Sequence, residues 1–154
     1  MLRYVIAAAC AACFATTAHA DPVKGEDGYD LWLRYRPVEA TYLTDYRAHA
    51  TEVVGGDSAT LKAAESELQR GFDGMLVQQT QVTEAITDGA IVLATPADMH
   101  GASVDLSQAG DEGFVITSTT LGGHPVTVIA GNSDTGVLYG ALPLSAPDAD
   151  AARR

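Results

Sequence analysis

The stretch that most constrains this chain is Val126–Gly140, reading Val-Thr-Val-Ile-Ala-Gly-Asn-Ser-Asp-Thr-Gly-Val-Leu-Tyr-Gly. It begins as a β-branched strand over Val126–Ala130 and turns at Gly131-Asn132-Ser133. Ser133 or Asp134 is placed to cap a helix carrying Val137, Leu138 and Tyr139. Val126, Val128 and Ala130 fall on one strand face, Thr127 and Ile129 on the other, so both faces expect cover. Such a strand lies inside a sheet, and the helix after it must fold back onto that sheet. A Gly-rich turn before a helix also invites an anion site. Here no Lys follows the last glycine, Gly-x-Gly-x-x-Gly spacing is missing, and Asp134 would repel a phosphate. A structural strand–cap–helix corner is the stronger reading.

The first twenty residues are expected to lie outside the fold. Arg3 supplies a positive start, Val5–Phe14 an apolar run, and Ala18-His19-Ala20 a small-x-small cleavage site before Asp21. Both cysteines, Cys10 and Cys13, fall within this signal peptide (1–20). A mature chain would then have no disulfide or thiolate chemistry, and its compartment would be periplasmic or extracellular. Removing Arg3 from nine basic residues leaves eight against twenty acidic ones, a net charge of −12. That argues against nucleic acid and anionic membranes as partners. No later apolar run is long enough to span a bilayer.

Asp21–Asp30 is a polar arm, and Leu31–Tyr35 a strand closed by Pro37. Trp32, Arg34 and Tyr35 would suit sugar recognition by stacking and by a forked guanidinium on a uronate. A strand with buried aromatics and a surface ion pair outweighs that reading. Thr41–His49 is a short helix packed through Leu43 and Tyr46 or Arg47; Thr51–Val54 is a short strand ended by Gly55-Gly56. Ser58 then caps the clearest amphipathic helix, with Leu61, Ala64, Leu68, Phe72 and Met75 at three- and four-residue steps. Lys62, Glu65, Glu67 and Arg70 are expected on its solvated face. Gln81–Val82, Ala90–Ala94 and Gly113–Thr117 read as further strands, the second stopped by Thr95-Pro96. Ala97–Gly110 is a polar connection, and Leu121–His124 a turn. The predicted fold is α/β (α+β): one mixed sheet with helices packed on a face.

Several of these segments carry a resemblance. Ala130–Gly140 and Glu26-Asp-Gly-Tyr-Asp-Leu-Trp-Leu-Arg-Tyr-Arg-Pro37 resemble the N-terminal domain of the xylan-directed α-glucuronidases, glycoside hydrolase family 67. Between them Gly56-Asp-Ser58, Ala64–Gly71 and Glu112-Gly-Phe114 fall in the family's order. The resemblance covers residues 26 to 141 and implies the mixed-sheet fold of that domain. It also implies that the catalytic carboxylates and most of the glucuronate pocket belong to a (β/α)8 barrel beyond this domain. No family catalytic residue can therefore be carried onto this chain.

The residues themselves agree. His49, His100 and His124 sit on different elements without a His-x-x-His or Glu partner motif, which gives no zinc site. A Gly-x-Ser-x-Gly elbow is missing, and among twenty acids some pair could always be proposed, so proposing one means little. The expected catalytic, cofactor-binding and metal residues are none, and no cofactor is expected. After Leu-Tyr-Gly the family continues an aromatic, Leu-rich, Arg-bearing helix; here Pro143 and Pro147 are expected to break it. The expected domain is thus 21–141, with 142–154 a non-native tail. One allowed codon set for Leu142–Asp150, shifted by one base, restores an apolar, Arg-bearing helix, so the tail reads as out of frame.

The resemblance implies a non-catalytic N-terminal scaffold domain of a secreted enzyme that removes (4-O-methyl)glucuronic acid from xylo-oligosaccharides. Its partner would be the catalytic barrel, and through it xylan-derived oligosaccharide. The rival is a free-standing carbohydrate-binding or docking module, which an exposed aromatic row on the sheet would favour.

Overall fold

A computed structural model describes residues 35–145. The expected signal peptide, both cysteines, Trp32, Arg34 and the residues from 146 on lie outside the described residues, as does all of the expected Leu31–Tyr35 strand except Tyr35, which is irregular.

The predicted inner strand is β5, His124–Gly131, and its residues account for its place. Ile129 packs into an apolar cluster with the helices, while Val126, Val128 and Ala130 join a second cluster on the opposite face. With β1 (Glu52–Val54), β2 (Gln81–Thr83), β3 (Ile91–Ala94) and β4 (Phe114–Leu121) it forms one five-stranded sheet, ordered β2-β1-β3-β5-β4. The β1–β2, β1–β3 and β3–β5 pairs are parallel, and only β4 runs antiparallel, against β5. The mixed sheet expected from the sequence is therefore what forms. β4 is longer than expected, because the turn into β5 is only Gly122-Gly123, with Leu121 paired to His124. Both glycines have positive φ, 59° and 96°, which gives a two-residue hairpin the twist of its strands.

The three helices of the described residues belong with the first face. α1 (Ala40–Ala48) contributes only the half-buried Leu43. α2 (Ala59–Leu76) buries the predicted stripe Leu61, Ala64, Leu68, Phe72 and Met75 against Val53, Ile91, Leu93 and Ile129. Ser58 caps it as expected, its Oγ accepting from Leu61 N at 3.0 Å. The second face takes a different cover. Met99, Ala102, Val104 and Leu106, from the connection that looked merely polar, pack on Val92, Val128 and Ala130. The apolar residues there are too few and irregular to show a period, so the sequence hid them.

α3, Asp134–Ser145, corrects the expected end of the domain. Residues 142–145, assigned above to the tail, form its last turn through Pro143. Proline removes one N–H, but a single missing bond near a helix end is tolerated where packing compensates. Leu144 packs against the core and Ser145 is fully buried, its Oγ donating to Leu142 O at 3.0 Å.

α2 ends on Val77, a residue in the left-handed region (φ 49°, ψ 54°) where glycine is the usual choice. Arg47 of α1 closes this end, Nε donating to Leu76 O at 2.8 Å and Nη2 to Val77 O at 3.0 Å. The Val77 side chain is exposed and packs little, so Val77→Gly relieves strain at small cost in contacts. We expect Val77→Gly to stabilise the fold by about 1 kcal/mol, read as a higher urea midpoint at unchanged slope.

Candidate functional site

Open α/β sheets bind ligands beyond the carboxyl ends of their parallel strands, where the strand order reverses. Here β1 lies between β2 and β3, and a crevice of about 820 Å³ opens beyond their ends. Its floor is the turn Gly55-Gly56 and its rim the start of α2 at Asp57 and Ser58. Asp57, Glu84, Asp98 and Asp134 face it, against the single Lys62 and His100. An excess of carboxylates opposes a uronate or phosphate ligand.

Glu65 and Glu67 overturn the expectation that they lie on a solvated face: they are 8% and 7% exposed. Glu65 Oε1 accepts from Gly56 N at 3.0 Å, tying the turn after β1 to the second turn of α2. Gly55 passes so close that any side chain there would run into the Glu65 carboxylate. Glu67 accepts from Tyr35 Oη and from Arg70 Nη2, the latter at 2.5 Å. Two residues apart on a helix is about 200°, so the carboxylates point to opposite sides and cannot flank one glycosidic bond. Their sequence signal was there in part: Glu67 and Arg70 stand at pair spacing, but nothing local announces Tyr35 as the third member.

Tyr35, weighed above for sugar stacking, is thus held against α2 by Glu67, with its Cβ beside Gly74. Burial, then the bond to the Glu67 carboxylate and its charge, push its phenol from 10.0 up to about 12. Because the folded value lies above the unfolded one, this interaction contributes fully below pH 10 and is lost as pH rises through 12. Urea melts of the chain against Tyr35→Phe should therefore show the wild type losing its advantage across that window. A parallel pH dependence of the two proteins would refute this assignment.

The histidines stay apart. His49 Nδ1 meets Asp45 O at 2.8 Å, His124 Nδ1 meets Asp88 Oδ1 at 2.6 Å, and His100 lies 3.5 Å from Asp98 on the crevice rim. No group of three metal-ligating side chains occurs among the described residues. The Gly131-Asn132-Ser133 turn is filled by structure. Ser133 Oγ accepts from Gly136 N at 3.2 Å, and Asn132 Nδ2 donates to Leu106 O and Gly110 O at 3.0 and 2.8 Å. A second hollow of about 220 Å³, lined by Phe72, Met75, Ile91 and Leu144, is apolar and lacks converging polar groups to orient a ligand.

The motifs that carry the family resemblance meet at the fold's corners. Gly56 N donates to Glu65, a Cβ on Gly136 would lie 2.5 Å from Gly113 O, and one on Gly71 would lie 2.6 Å from Ser145 Cβ. The sequence model described as glycosyl hydrolase family 67 N-terminus matches residues 31–144, most of the chain. The chain belongs to glycosyl hydrolase family 67. It is the family's N-terminal domain, part of an α-glucuronidase, and implies a parent catalytic domain. The match runs into the last turn of α3, past the point where the sequence alone placed the domain's end. A search of the curated proteins found no match.

Proposed function

We propose that this family 67 domain is a non-catalytic scaffold of a secreted α-glucuronidase that releases (4-O-methyl)glucuronic acid from xylo-oligosaccharides. The observation that carries the proposal is the family match over 31–144. The commitment of both buried glutamates to backbone and tyrosine donors supports it, since neither is free to act on a substrate. The exposed aromatics support it as well. Among the described residues Tyr42 and Tyr46 lie on α1, Phe114 on β4 and Tyr139 on α3, which is no row along the sheet for stacking sugars. In this reading the leader is cleaved near Ala20 and the domain works in the periplasm or outside the cell, joined to its catalytic barrel.

The free-standing sugar-binding module is separated from this reading by calorimetric titration with xylo-oligosaccharides and aldouronic acids. A scaffold gives no saturable heat. Saturable binding that Asp98→Asn weakens would place a sugar in the crevice and favour the module.

A further inference from the structure

The two edges of the sheet are treated differently. β2 has three residues and runs into Glu84, a short edge blunted by charge. β4 has eight, Phe-Val-Ile-Thr-Ser-Thr-Thr-Leu, without a charge, a proline or a break in its register against β5. Among the described residues nothing pairs with its far side, which offers a row of backbone N–H and C=O groups without the usual protections of an edge strand. Beside it the helix layer stops short: α3 reaches β4 at Gly140, where a Cβ would lie 3.0 Å from Phe114 Cγ. Phe114 and Ile116 are left 36% and 37% exposed, next to Tyr139 and Leu142 of α3 at 43% and 39%.

We propose that the β4 edge pairs antiparallel with β4 of a second copy of this chain, joining two five-stranded sheets across a two-fold axis at Ser118, whose main-chain groups turn away from β5. The main-chain row calls for an extended strand, and a copy of β4 fills it over Val115–Leu121. Charge selects both the place and the direction. Each copy carries a net charge of −11, so copies can approach only where the surface is uncharged, and β4 is such a stretch. A parallel pairing would set Asp111 and Glu112 beside their own copies. The antiparallel pairing sets Glu112 opposite His124 and Asp111 opposite Pro125 of the other copy. Val115 of each copy then faces Leu121 of the other, on the same face of the joined sheet.

Sedimentation equilibrium of the purified chain, from micromolar to high concentration, tests the proposal. The expected result is a reversible monomer–dimer equilibrium, with amide protection of Phe114–Leu121 rising with concentration. Ser118→Lys, exposed and at the axis, should weaken association at least about tenfold, while Val82→Lys on the β2 edge leaves it unchanged. A chain that stays monomeric throughout would overturn the proposal. So would a dimer indifferent to Ser118→Lys, or β4 protection that appears only when a family 67 catalytic domain is added.

Discussion

Gly71→Val is expected to unfold the domain or leave it barely stable. Gly71 lies on α2 where α3 comes to rest, and a Cβ there would stand 2.6 Å from Ser145 Cβ and 2.8 Å from Ser145 Cα and O. Two of those three atoms are backbone, so no rotamer change makes room. The valine must push the end of α3 off α2, and with it the buried Ala141 and the half-buried Leu144 lose their contacts. Overpacking against a rigid neighbour together with lost apolar burial puts the cost at about 3 kcal/mol or more. That is a large share of the roughly 5–15 kcal/mol that holds a domain folded. Ala63→Val, on the exposed side of the same helix, should change stability by only a few tenths of a kcal/mol. Urea unfolding of both variants checks this. Equal midpoints would show that α3 does not seat on Gly71.

This prediction could not have been made from the sequence, and the reason is general to the chain. Periodicity displayed what each element does alone: the Leu61–Met75 stripe, the Ser58 cap and the two-faced β5 all form as read. It is blind to what approaches from elsewhere in the chain. Gly71 looked like a helix residue of low propensity, and only the arrival of Ser145 seventy-four positions later explains why it has no side chain. Glu65 and Glu67 failed for the same cause, since their burial depends on Gly56 and Tyr35. Pro143 failed the other way. A local rule ended the helix, and burial of Leu144 and Ser145 carried it one turn further. The candidate crevice was not legible at all, because its walls come from four separate segments.

Glycoside hydrolysis needs two carboxyl groups fixed across one bond, about 5–9.5 Å apart, in a site that excludes water. Glu65 and Glu67 are held by structural donors, and Asp57, Glu84, Asp98 and Asp134 stand on an open, mainly acidic rim. A uronate substrate would be repelled there before any proton could move. The direct measurement is to incubate the purified chain with aldouronic acids and quantify the uronic acid released. The scaffold account predicts none above the buffer control. Turnover that survives repurification, and disappears on replacing a single Asp or Glu of this chain, would contradict it.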